Sequence, residues 1–98
     1  MGKPRKSPQT KVDLLEIWCF IGEDSPAAAD RLVKKIDDAI ALIGQFPGIG
    51  AEREDLAADL RIYPVDHYVI AYQVVKRTVH IVRVVHGARD LRALFQHL

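Results

Sequence analysis

From Pro8 onward the apolar residues of this chain recur at helical spacing, and Ser7-Pro8 supplies a capping side chain followed by proline at the first helical position. A first helix is predicted from Pro8 to about Ile21. At about 100° per residue, Leu14, Leu15, Ile17, Trp18 and Ile21 cover an arc of roughly 160°, with Val12 and Phe20 outside it. That is wider than one core requires. Either the helix is buried on more than one side, or part of its surface is kept for a partner. Asp24-Ser25-Pro26 repeats the cap-and-proline signal, and Ala29, Leu32, Val33, Ile36, Ala39, Ile40 and Ile43 form a narrower stripe of about 120°. Pro47, Gly48 and Gly50 end this second helix, and the acid-rich segment 51–59 leads onward with room for a helical turn.

The last third changes period. Arg61–Val65, Tyr68–Tyr72 and Val79–Val85 alternate like strands, and Lys3–Lys6 suits a short strand in which Pro4 demands an edge or a strand start. With Lys76-Arg77 as a two-residue turn, Val75 pairs with Thr78 and the faces follow. Val69, Ala71, Val82 and Val84 share one face. Tyr68, Ile70, Tyr72, Val79, Ile81, Arg83 and Val85 share the other, together with Arg61 and Tyr63. We expect the first face to pack on the helices, each aliphatic side chain contributing about 1.5–3 kcal/mol, and the second to meet a partner or a C-terminal element. Arg83 under the helices would refute this assignment. Leu91, Leu94, Phe95 and Leu98 recur as a short closing helix. The fold class expected is α+β: an N-terminal helical hairpin packed on a small, mainly antiparallel sheet with a short C-terminal helix, one domain over 1–98.

Composition narrows the setting. A chain of 98 residues with 49% hydrophobic and 28% charged side chains suits one core and argues against disorder. The single cysteine, Cys19, cannot form an internal disulfide, the basic start lacks the apolar run of a signal peptide, and no stretch approaches the ~20 apolar residues of a membrane span. A cytoplasmic protein without membrane contact is expected. The net charge of +1 conceals segregation: residues 1–11 carry +4, residues 12–60 carry −7 and residues 61–98 carry +4. A basic sheet half beside an acidic helical half favours an anionic or acidic partner.

Arg83, His86, Arg89 and Arg92 are the densest candidate chemistry. Guanidinium forks suit phosphate or carboxylate, although the same arginines could pair with Asp90 and the acidic loop. Histidine is the side chain whose ordinary pKa lies closest to neutrality, so His86 is a candidate acid or base, against a plain structural role at a strand end. His80 and His86 are too far apart along one strand for a metal, and no Cys or carboxylate stands at ligand spacing. Cys19 reads as a semi-buried thiol, since no histidine or cation lies near it in sequence. Gly48-Ile49-Gly50 is no phosphate loop. Tyr63, Tyr68 and Tyr72 could stack RNA bases on an open sheet face, but tyrosines at alternate strand positions more commonly pack. No cofactor, no metal and no catalytic nucleophile are expected.

Several segments, taken in order and spacing, resemble the ParE branch of the RelE/ParE toxin superfamily. They are Asp13-Leu14, Ile17-Trp18, Ser25–Arg31, Phe46–Gly50, Arg61–Val65, Tyr68–Tyr72 and Val85–Leu91. The resemblance implies a toxin neutralised by a cognate, ParD-like antitoxin that wraps the helices and sheet, with Val12, Leu15, Trp18, Phe20, Tyr68 and Tyr72 as its candidate contacts. It implies Arg61, Arg83, His86, Arg89 and Arg92 as candidate target contacts, and no direct nucleic-acid binding without the antitoxin. ParE-like members are associated with DNA gyrase, whereas RelE-like members cut mRNA on the ribosome, often with a C-terminal tyrosine. Phe95 occupies the matching position here and has no hydroxyl to exchange a proton. Gyrase inhibition is therefore the expectation and RelE-type endoribonuclease the alternative; Arg89 is shared by both branches.

Overall fold

The computed structural model describes residues 3–96. In chain order the elements are β1 (Arg5–Lys6), α1 (Pro8–Gly22), α2 (Pro26–Gln45), β2 (Ala51–Glu52), β3 (Leu60–Val65), β4 (Tyr68–Val75), β5 (Thr78–His86) and α3 (Leu91–Phe95). The sheet order is β1-β5-β4-β3-β2, with β1 parallel to β5 and every other pair antiparallel. Both helix starts follow their local signals: Ser7 Oγ accepts the Thr10 N–H and Ser25 Oγ accepts the Ala28 N–H. Leu98, expected in the closing helix, lies outside the described residues. The short strand β2 had no separate signal in the acid-rich segment.

The Lys76-Arg77 turn forms as expected, with Val75 opposite Thr78. Both turn residues adopt positive φ, 51° and 66°, the left-handed pair that a tight hairpin of this twist needs. The expected faces, however, are reversed. Ile70, Tyr72, Val79, Ile81 and Val84 pack with Ile17 of α1 and Ile36, Ile40 and Ile43 of α2. Ala71 joins Leu56, Leu60, Ile62 and Phe95 in a second core on the other face, with Val69, Val82, Leu91 and Leu94 around it. Volume accounts for the choice. The isoleucines of α2 meet the bulkier sheet face, while the small side chain of Ala71 leaves room for the Phe95 ring.

A bulge completes the correction. Tyr72 lies opposite Ile81, but Ala71 lies opposite Arg83, so Val82 is the extra residue and side-chain parity switches beyond it. Val84 consequently joins the helix-facing core rather than the face of Val82.

The bulge sits where β5 runs past its short neighbour β1. Beyond Ile81 the edge of β5 is satisfied by α1 instead of a strand. Ser7 N–H donates to Ile81 O at 3.0 Å, Ser7 Oγ–H to Val82 O at 2.9 Å and Thr10 Oγ1–H to Ile81 O at 3.0 Å. Asp13 Oδ2 accepts the Val84 N–H at 3.0 Å. Ser7, Thr10 and Asp13 are three residues apart, hence stacked along one side of the helix. Arg83 closes the arrangement, its Nε and an Nη each donating to Asp13 at 2.9 Å. The arginine expected on the outer face is therefore tied to the helical hairpin.

Tyr72 pins the other end. Its hydroxyl donates to Pro47 O at 2.7 Å and accepts the Gly50 N–H at 2.8 Å. A Cβ at Gly50 would stand 2.6 Å from that oxygen, so only glycine leaves the contact intact. Gly44 similarly allows Pro4 to pass close over α2.

These contacts can be tested by removing one partner at a time. Asp13→Ala strands the Arg83 charge and the Val84 N–H, and should cost about 3–5 kcal/mol in chemical unfolding, a large share of the ~5–15 kcal/mol available to a small domain. Asp13→Asn, which still accepts from Val84, should cost clearly less. Burial raises the pKa of Tyr72, against smaller opposing effects of the Gly50 hydrogen bond and Arg61. Because the folded state then holds its proton more tightly, this contribution is complete below the ordinary tyrosine value of about 10 and is lost as pH rises through the folded value. Tyr72→Phe should be less stable at pH 8 by about 1–2 kcal/mol, with the gap to the parent narrowing above pH ~10 in a pH series of unfolding curves.

Candidate functional site

The five basic candidates do not converge on one site. Arg61 donates to Gly50 O at 2.7 Å, Gly48 O at 3.3 Å and Glu52 at 3.0 Å, bracing the loop that follows α2. Arg83 forms the two-pronged pair with Asp13, whose hydrogen bond is the main cause of a raised guanidinium pKa against the opposing effect of burial. Arg92 is exposed and reaches Asp55 only at 3.5 Å, that carboxylate being held more closely by Arg53 at 2.9 Å. The hydrogen bond from Arg53 is also the largest cause of the lowered pKa of Asp55. Two of the five therefore serve the fold.

Of the other three, Arg92 stands apart beside Asp55, and His86 and Arg89 come together. They flank a tight turn in which Gly87 N–H donates to His67 O at 2.8 Å and Arg89 N–H to His86 O at 3.1 Å. His86 Nδ1 accepts the Ala88 N–H at 3.1 Å, which places the proton of the neutral ring on Nε2. The ring stacks on His67 at 6.2 Å and meets Tyr68 edge-on at 5.3 Å. The Arg89 guanidinium is exposed and makes no hydrogen bond or ion pair among the described residues. It is a cation available to a ligand.

Between α1 and the end of β5 lies an open cavity of about 430 Å³, walled by Ile17 and Phe20 on one side and by Tyr68, Val84 and His86 on the other, with Arg89 at its mouth. Two target candidates, His86 and Arg89, and two antitoxin candidates, Phe20 and Tyr68, thus share one hollow. The remaining apolar candidates lie along α1, where Val12, Leu15 and Trp18 are exposed; Leu15 retains 64% of its surface and Phe20 68%. Trp18 fixes its ring by donating Nε1–H to Asp30 at 2.8 Å. Of the two explanations for the broad apolar arc of α1, burial on more than one side fails, because Leu15 and Trp18 face solvent.

Two expectations need correction. Tyr72, named as a surface contact, has 0% exposure because the sheet face it occupies is turned toward the helices. The same inversion removes the open tyrosine platform considered for RNA. Cys19, expected to be semi-buried, is exposed on the outer side of α1. Asp13, which the sequence offers only as part of the family resemblance, and Thr10 carry no predicted role, although their spacing with Ile17 places them on the buried side of α1. Apolar Leu42, Phe46 and Ile49 are also exposed where α2 ends. Among the described residues no group of three or more His, Cys, Asp or Glu side chains could hold a metal.

The comparisons agree with this architecture. A family model described as ParE toxin of type II toxin-antitoxin system, parDE, matches residues 5–91. The chain is 36% identical over 77 residues to a Caulobacter vibrioides protein named Toxin RelE2, covering 79% of this chain and 85% of that one. It is 33% identical over 91 residues to Toxin ParE1 of the same organism, covering 91% and 93%. A solved structure titled Chromosomal ParDE TA system from P. aeruginosa shares the fold with a TM-score of 0.75 at 18% identity, over 88% of this chain and 96% of that one. With a family model spanning nearly all of its length, the chain belongs to the ParE family of toxins from type II toxin–antitoxin systems, whose partner is an antitoxin.

Proposed function

We propose that this toxin arrests growth by binding and blocking DNA gyrase, using Arg89 and His86 at the mouth of the α1–β5 cavity, and that it cuts no nucleic acid. The observation that carries the reading is the state of Phe95. At the position that the family resemblance matches to the C-terminal tyrosine found in many RNA-cutting members, this ring lacks a hydroxyl and is packed in the second core with 1% exposure. Arg61 and Arg83 support the same reading, since side chains bound to Gly50 and Asp13 are not at hand to stabilise charge on a reacting phosphate. What remains is a rim with an accessible cation and histidine over an apolar hollow, which suits recognition of a protein surface. We place this action in the cytoplasm, where gyrase works. No helix among the described residues is long and apolar enough to cross a membrane.

The match to the relative named Toxin RelE2 supports a second reading, ribosome-dependent cleavage of mRNA. Purified chain in two parallel assays separates them. Gyrase blockade predicts lost supercoiling or trapped cleavage complexes while mRNA in a translation extract stays intact, and Arg89→Ala should raise the amount of toxin needed by about tenfold or more. Codon-linked mRNA cuts that vanish in Arg89→Ala, with supercoiling untouched, would establish the nuclease instead.

A further inference from the structure

A second exposed surface lies at the other end of β5 from the α1–β5 cavity. Leu42, Phe46 and Ile49 follow one another where α2 runs out, all three exposed and Phe46 retaining 56% of its surface. The Phe46 N–H donates to Leu42 O at 2.9 Å and the Ile49 N–H to Phe46 O at 3.0 Å, so two successive turns of backbone carry the whole patch. Large apolar side chains gathered in water mark an interaction surface. We propose that this patch joins two copies of the chain across a two-fold axis, the Lys76-Arg77 hairpin tip of each lying against an acidic hollow of the other.

The hollow adjoins the patch. It has a volume of about 320 Å³ and is walled by Pro47, directly after Phe46, by Val74 near the end of β4, and by Glu52, Glu54, Asp59 and Arg61. Glu52 is paired with Arg61 at 3.0 Å, whereas Glu54 and Asp59 form no ion pair among the described residues. From Val74 in this wall, β4 runs on to the exposed Val75 and then to the turn, where Lys76 and Arg77 are exposed and likewise without an ion pair among the described residues. Two unpaired acids and two unpaired cations thus stand at the same end of the molecule as the apolar patch.

This juxtaposition selects the occupant. An acidic partner would be drawn to the hairpin tip and repelled by the hollow, and a basic partner the reverse. A second copy turned through 180° satisfies both at once, because in a two-fold interface the tip of each chain meets the hollow of the other. A patch of this extent falls short of the ~800 Å² per partner of a standard interface, so the pairing is weak, with a dissociation constant on the order of 10–100 µM. At about 3.3 Å per residue, β5 carries His86 roughly 25 Å from Thr78 at the hairpin. Pairing at the hairpin end therefore leaves both α1–β5 cavities open.

The test is sedimentation equilibrium of the full chain from about 5 to 500 µM, over which the parent should pass from monomer to dimer. Circular dichroism confirms that each variant is folded. Phe46→Ala should weaken association by about tenfold or more. Lys76→Asp/Arg77→Asp and Glu54→Lys/Asp59→Asn introduce side chains that suit the left-handed backbone at residues 59, 76 and 77. Each of these two variants should be monomeric alone, yet the two should form a mixed dimer, since the acidic tip of one then meets the basic hollow of the other while the unaltered tip and hollow still match. A parent that stays monomeric throughout would overturn the assignment. So would a dimer whose strength stays within about twofold of the parent in Phe46→Ala and in both charge variants. Failure of the two charge variants to pair with each other would overturn the placing of the tip in the hollow. A monomeric parent whose affinity for the antitoxin falls about tenfold in Phe46→Ala would assign the patch to the antitoxin instead of a second copy.

Discussion

The Asp13 carboxylate, 4% exposed, accepts hydrogen bonds from the Arg83 guanidinium, the Val84 N–H and the Gln9 amide. Much of the arrangement at the end of β5 depends on it. The strand reaches past β1 with its outer edge unpaired, and unpaired backbone in a protein interior is costly. Ser7, Thr10 and Asp13 supply the missing partners from a helix, in place of a longer edge strand. The bulge at Val82 belongs with this exchange of partners, and it turns Val84 into the helix-facing core. The turn bearing His86 and Arg89 is thereby brought to the cavity beside Ile17 and Phe20.

The same contact sorts the arginines. Charge concentrated in the last third of the chain suggests a single basic site, but two of its members are absorbed by the fold. Arg83 neutralises a buried carboxylate and Arg61 holds backbone carbonyls of the loop after α2. A guanidinium so bound cannot turn to a ligand without leaving its partner unsatisfied. Arg89 has no such commitment among the described residues, and it shares its cavity with Phe20, the most exposed large apolar side chain of α1. Recognition of a protein by an accessible cation over an apolar hollow follows more readily from this division than phosphate chemistry does.

Much of the fold was legible in local chemistry. The serine caps with following prolines mark both helix starts, and the Lys76-Arg77 turn fixes the hairpin register. The orientation of the sheet was not legible, for two physical reasons. Tyr72 looks polar in the sequence, yet its hydroxyl is satisfied by Pro47 and Gly50 and its ring is fully buried. The bulge adds one residue without any glycine or proline to announce it, and a single-residue slip reverses the parity of all that follows. For the site, the sequence identified Arg89, His86, Phe20 and Tyr68 separately. It did not reveal that they line one cavity, nor that Asp13 removes Arg83 from the set, because both facts depend on how α1 lies against β5.

On the proposed reading, Arg83 serves the fold while Arg89 serves the target. The most direct measurement of that division is growth arrest on induction of the paired neutral variant Asp13→Asn/Arg83→Gln, compared with Arg89→Gln at equal expression and with melting temperatures recorded for both. In the paired variant the amide oxygen introduced in place of the Asp13 carboxylate still accepts the Val84 N–H. The expected result is a folded double variant that still arrests growth, while Arg89→Gln is equally folded and loses potency. A folded double variant that has lost toxicity, beside an Arg89→Gln variant that keeps it, would contradict this division of roles.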